Sequence, residues 1–134
     1  MPRATFGKDR RLLKASEYKE VFDNNSVRVA HPKYLILAKP NGTSVSRLGL
    51  VVGKKNVPTA VGRNQVKRIV RETFRNSLLP VALDIIFLAR KDADKLSSFE
   101  MTSLLQQSWV RLSARLNADS NKGSSNNGGL KTNA

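Results

Sequence analysis

The 134-residue chain reads as one α/β (α+β) domain with a single four-stranded sheet, in the order α-β-β-β-α-β-α. Three observations predict this. Apolar residues recur at helical spacing through residues 59–75 and again after residue 97. Residues 81–89 (VALDIIFLA) are almost continuously apolar, as in a strand covered on both faces. Short β-rich runs between residues 26 and 53 are punctuated by Pro and Gly turn signals.

Residues 1–15 are basic and without periodicity, with Lys8, Arg10, Arg11 and Lys14 clustered, and read as an arm. Ser16 is placed to cap a short helix carrying Tyr18, Val21 and Phe22 at i, i+3, i+4 spacing, ended by Asn24 and Asn25. Residues 26–30 form a short strand, Pro32 interrupts, and residues 34–39 (YLILAK) resume as a strand. Pro40-Asn41-Gly42 is a turn. Residues 47–53 (RLGLVVG) predict a central strand, and Lys54 to Pro58 a basic loop.

Thr59 is placed to cap the main helix, with Gly62 near its start either permitting close backbone approach or carrying no meaning. At about 100° per residue, Val66, Ile69, Val70, Thr73 and Phe74 share one arc of that helix, and Arg63, Asn64, Lys67, Arg68, Arg71 and Arg75 the neighbouring one. Gln65, Glu72 and Asn76 take the remainder. The apolar arc docks on a core and leaves the cationic arc aimed at something polyanionic. Residues 90–96 form a loop. Ser97 and Glu100 then fit a capping box for a helix with Met101, Leu105, Trp109, Leu112 and Leu116 on one stripe. Trp109 and Phe99 are both assigned to the core. Residues 117–134, rich in Gly, Ser and Asn, predict a disordered tail, so the folded domain is expected over 1–116.

Net charge is +14. Such an excess destabilises a compact state by self-repulsion, so it points to a partner: nucleic acid first, an anionic membrane second. The helix favours the first. Its β-branched Val66, Ile69 and Val70 suit packing on a sheet rather than insertion in lipid, and four of its five cations are arginine, suited to bidentate phosphate contact. No window approaches the ~20 apolar residues of a membrane span, and the start has no apolar signal segment. With no cysteine either, a cytoplasmic protein is expected.

Catalytic groups are sparse. His31 is the only histidine, placed in a bulge beside Pro32 with a structural or solvated role, and the ten carboxylates are scattered singly. No catalytic residue and no metal site is therefore assigned to the protein. Asp84 is expected to make hydrogen bonds at a strand edge. Gly49 and Gly53 before Lys54 and Lys55 superficially suggest a phosphate loop, but the glycine spacing is one residue short and a second lysine stands where Ser or Thr is needed. Tyr18, Phe22 and Tyr34 either stack unpaired bases or pack in the core; spacing alone favours the core.

The run Ala60-Val61-Gly62-Arg63-Asn64-Gln65-Val66-Lys67-Arg68-Ile69-Val70-Arg71 resembles the signature of the bacterial ribonuclease P protein component. Three blocks agree with it: Arg11-Leu12 followed by residues 17–22 (EYKEVF), residues 48–55 (LGLVVGKK) and residues 84–90 (DIIFLAR). The resemblance spans about residues 8–116. It implies a ribosomal protein S5 domain 2-like fold with a left-handed βαβ crossover, against the usual right-handed rule. It also implies a protein subunit that assists a catalytic RNA in removing the 5′ leader from precursor tRNA. The RNA subunit performs the chemistry with Mg2+, and the protein binds no cofactor of its own. Arg63, Asn64, Lys67, Arg68, Arg71 and Arg75 would face the catalytic RNA, while Tyr18, Phe22, Tyr34, Lys54 and Lys55 would line a cleft for the leader. The resemblance thus reverses the preference for packing those rings in the core. Gln65 stands where many relatives carry Arg or Lys, and Tyr18 replaces a common Phe. Partners are then the RNA subunit and precursor tRNA, with no membrane and no obligate protein. The alternative is a general or ribosomal RNA-binding module without a processing role.

Overall fold

The computed structural model describes residues 11–12, 14–77 and 79–125. The elements are α1 (Ala15–Asn24), β1 (Val27–His31), β2 (Tyr34–Pro40), β3 (Arg47–Val51), α2 (Ala60–Arg75), β4 (Leu83–Ala89), a 3-10 turn (Ala93–Lys95) and α3 (Ser98–Ser125). One mixed sheet has the order β1-β2-β4-β3. The β1–β2 and β2–β4 pairs are antiparallel and β3–β4 is parallel, joined through α2.

β4 is interior and buried along almost its whole length, as its apolar run predicts. The run at residues 47–53 differs from expectation: β3 ends at Val51 and lies at the sheet edge. An apolar run reports burial of the faces and says nothing about neighbours in the sheet. The edge is partly closed by Arg11, which bridges Leu48 in parallel, while the Leu12 N–H donates to the Leu48 carbonyl at 3.2 Å. Leu12 is buried, so this end of the basic arm is docked. Residues 1–10, where the rest of the arm was expected, lie outside the described residues.

Because side chains alternate along a strand, the interior strands β2 and β4 each feed two cores. Tyr34, Ile36 and Ala38 join Leu48, Leu83, Ile85 and Phe87 under α2 and α3. Leu37 and Ile86 face the other way and pack with Leu12 and Val21 beneath α1.

The caps follow the sequence in two helices of three. Thr59 Oγ1 accepts the Gly62 N–H at 2.9 Å. The Ser97 N–H donates to Glu100 Oε1 at 3.0 Å and the Glu100 N–H to Ser97 Oγ at 3.1 Å, a complete capping box. α1 instead starts two residues earlier than a Ser16 cap allows. The Lys14 N–H is taken by Glu17 Oε1 at 3.0 Å, which makes Lys14 the cap position.

α3 continues to Ser125, into the stretch expected to be structureless from residue 117. Propagating a nucleated helix needs no core contact, only one more backbone bond per residue fixed. Residues 126–134 lie outside the described residues. Phe99 is 83% exposed, not in the core. Two residues before Met101, it points about 200° away from the buried stripe.

Candidate RNA interface

α2 buries Val66, Ile69, Val70, Thr73 and Phe74, the whole apolar arc read from the sequence. Trp109 of α3 meets it, with its indole Nε1 donating to Thr73 Oγ1 at 3.0 Å and its ring edge-on to Phe74. This contact fixes the rotation of α2 and leaves Asn64 and Arg68 exposed, with Arg63, Lys67, Arg71 and Arg75 half-buried. None of these five cations forms an ion pair among the described residues.

Several are held in place. Arg63 Nη1 donates to the carbonyls of Val57 and Pro58 at 3.1 and 3.0 Å. Arg68 Nη2 donates to Gln65 Oε1 at 2.6 Å, and Gln65 Nε2 in turn donates to Ser98 Oγ at 2.6 Å. Gln65, which lies outside both arcs, therefore links α2 to the start of α3. Arg71 Nε is buried and has no hydrogen-bond partner among the described residues. Burial, and after it the neighbouring Arg11, lowers the Arg71 pKa. Gly62 has a reason as well: a Cβ there would stand 2.9 Å from the Thr59 capping oxygen and 3.1 Å from Val57 Cγ1.

The second surface lies on the α1 side of the sheet. α1 is fastened by charge. Asp84, 6% exposed, takes Arg47 through two bonds of 2.8 and 2.7 Å and accepts from Asn41 Nδ2 at 2.9 Å. Arg47 Nη1 then donates to Glu17 Oε2 at 2.9 Å. The bond to Asp84 is the main cause of a raised Arg47 pKa. Asp84 thus anchors a helix from an interior strand, where a strand-edge role had been expected. Glu20 pairs with Lys39 beside it.

Tyr18 crosses β3 at Gly49, where a Cβ would fall 2.7 Å from the ring. This is the use of a glycine that at first resembles part of a phosphate loop. Phe22, one turn on, is 43% exposed. α1 covers only part of this face. A row in register across all four strands, Ala30–Leu35–Leu88–Val51, is left exposed or half-exposed beside it. Beyond the row, the loop after β3 presents exposed Lys54 and Lys55. Asn56 pins this loop, donating from Nδ2 to the Ala89 carbonyl at 3.0 Å. The result is a trough with an apolar floor, an aromatic wall and a basic rim.

Tyr34 does not belong to it. The residue is fully buried on the opposite face, its hydroxyl 2.6 Å from Ser108 Oγ and its ring tilted against Phe87 at 5.4 Å. The period of two settles this: Tyr34 shares a face with Ile36, and Leu35 takes the trough position. Leu35, Leu88, Val51 and Asn56 were all missed by residue type, since aliphatic strand residues carry no chemical signal. Their position in register finds them. Among the described residues, no group of three or more His, Asp and Glu is placed to hold a metal ion.

Comparison with known proteins bears on the family and the fold. The family profile described as Ribonuclease P matches residues 6–113. The ribonuclease P protein component of Azotobacter vinelandii is 43% identical over 108 residues, covering 80% of this chain and 83% of the relative. That of Aliivibrio fischeri is 47% identical over 110 residues, covering 81% and 92%. The structure of the Staphylococcus aureus RNase P protein superposes with a TM-score of 0.65 at 27% identity, over 73% of this chain and 90% of that one. That of Thermotoga maritima gives 0.59 at 28%, over 72% and 96%. A mixed four-stranded sheet flanked by three helices, a cationic helix arc and these matches lead to one conclusion: the chain belongs to the ribonuclease P protein family.

Proposed function

We propose that this chain serves ribonuclease P through two separate RNA surfaces. The α2 arc grips the RNA subunit, and the trough beside α1 holds the single-stranded 5′ leader of precursor tRNA. The observation that carries the first is the set of five α2 cations without an ion pair among the described residues, Arg71 with a buried Nε and no acceptor. Cations with no carboxylate partner are open to phosphate oxygens, and the guanidiniums among them suit bidentate contact through their outer nitrogens. The trough supports the second: its row of small and aliphatic side chains and the Phe22 ring offer bases a surface to lie on, and Lys54 and Lys55 flank the backbone path. Such surfaces bind unpaired strands with little sequence preference.

Cleavage of the phosphodiester then belongs to the RNA subunit, with Mg2+ held among its phosphates. The protein supplies positive charge that lowers repulsion between the RNA chains and so raises the affinity of that ion site. By holding the leader, the trough favours precursor over mature tRNA. Among the described residues no helix is long and apolar enough to cross a membrane, and the cytoplasm is the compartment this role requires.

Precursor tRNA cleavage at low magnesium tests the reading in three arms: protein alone, RNA subunit alone, and both. A sharp rise only in the mixture is expected. Cleavage by the protein alone overturns it, and so does a mixture no faster than the RNA. The latter result would favour a general RNA-binding module.

A further inference from the structure

The cations of α2 and of the Lys54–Lys55 loop do not exhaust the positive surface. Another group gathers where the β1–β2 turn, the end of β4 and the outer side of α3 meet. At its centre is His31, the only histidine of the chain. It does not sit in a bulge, as the sequence suggests; it ends β1 and pairs with Tyr34 across a two-residue turn. Its imidazole stacks on the Tyr34 ring, centroids 4.7 Å apart, and its Nδ1 accepts the Lys33 N–H at 3.0 Å. Arg90 Nη1 donates to the His31 carbonyl at 3.2 Å, and the Arg90 N–H to the Lys33 carbonyl at 2.9 Å. Arg111 arrives from α3, three positions after the Ser108 that bonds Tyr34. Burial, followed by Lys33, Arg111 and Arg90, lowers the His31 pKa. None of the three cations has an ion pair among the described residues. Three elements remote in sequence therefore converge like charges on one corner, an arrangement whose self-repulsion a polyanion relieves.

This corner lies on the α3 side of the sheet and meets the trough across the β1 edge. Ala30 and Leu35, one end of its floor, are next in sequence and in register to His31 and Tyr34. A strand running along the floor from Val51 to Ala30 leaves the sheet at the β1 edge. There α3 is tied to the strand by a bond from Arg115 Nη1 to the Arg28 carbonyl. We propose that the upstream part of the leader passes over the β1 edge and binds through its phosphates to Lys33, Arg90 and Arg111. This rests on the reading of the trough as the leader site.

The test measures binding of precursor tRNAs to the reconstituted ribonucleoprotein, with leaders of about 4 and about 16 nucleotides, the range one single-stranded binding surface spans. The variants are Lys33→Ala/Arg111→Ala, which removes no side-chain hydrogen bond seen in the structure, and Phe22→Ala. The double variant is expected to bind the short-leader precursor like the parent. With the long leader it loses affinity, and the slope of log affinity against log salt flattens by about 1.4, at ~0.7 per phosphate on a single strand. In the full-length protein, a long leader oligonucleotide also raises the His31 pKa, read from the single imidazole by NMR, and a short one leaves it unchanged. Unchanged long-leader binding overturns the proposal, as does an equal loss with both leaders, which would place the pad on the RNA subunit or in folding. Phe22→Ala separates the premises. Weaker binding of both precursors keeps the trough reading whatever the double variant does, and no effect on either removes it.

Discussion

The two faces of the sheet are built from the same strands and have opposite fates. Under α2 and α3, Tyr34, Ile36, Ile85 and Phe87 are fully buried. Under α1, Val21 and Ile86 are equally buried, yet Leu35 and Leu88, on the same strands, are only half-covered. The difference is one of helix length and anchorage. Two helices roof the first face and fasten it by packing. A single ten-residue helix crosses the second and is fastened at its start by ion pairs. The first face holds the molecule together; the second leaves part of its apolar floor uncovered.

The comparison predicts that the α1 face fails electrostatically. Asp84→Ala strips a partly buried Arg47 of one of its two carboxylate partners, and the expected cost is about 1.5–3 kcal/mol in denaturant unfolding, with α1 amides losing exchange protection first. A loss under about 1 kcal/mol would mean that packing alone docks α1. The α2/α3 face is expected to fail by cavity formation. Leu105→Ala should cost about 2–5 kcal/mol, and Leu35→Ala distinctly less, since Leu35 is already half in water. Equal costs would erase the distinction between the faces.

On the α2 arc, Arg68→Ala is expected to leave stability nearly unchanged and to reduce the salt slope of RNA-subunit binding by roughly one unit. An unaltered slope takes Arg68 out of that interface. The smallest effect belongs to Glu20. Its hydrogen bond with Lys39 lowers its pKa below the ordinary 4.5. The folded form thus releases the proton more readily, so the contribution is complete above that value and fades as pH falls through the folded one. Glu20→Gln should accordingly lower stability slightly at neutral pH, flatten the acid limb of the profile, and match the parent at a pH below the folded value.

What the sequence made legible was periodic. The buried arc of α2, its Thr59 cap and the Ser97–Glu100 box follow from spacings within one helix, and the structure repeats them residue for residue. What stayed hidden depends on partners remote in the chain. Tyr34 and Leu35 are neighbours, and nothing local tells which of them faces α3. The edge position of β3 depends on β2 pairing with β4, a choice made 45 residues away in the Lys39–Asp84 register pair and its neighbours. Gly49 is explained only by the Tyr18 ring, and the Lys33–Arg90–Arg111 corner only by three elements meeting. Arg63, Asn64, Lys67, Arg68, Arg71 and Arg75 could be read because one helix carries them all. The floor of the trough could not.

The separation of the two surfaces is tested most directly by the affinity of the ribonucleoprotein for precursor and for mature tRNA, with Phe22 intact and with Phe22→Ala. Loss of one stacked base predicts a precursor affinity weaker by about 1–3 kcal/mol and a mature tRNA affinity that does not move. An equal loss for both would show that Phe22 supports the fold or the RNA-subunit contact, and that the open face of the sheet does not hold the leader.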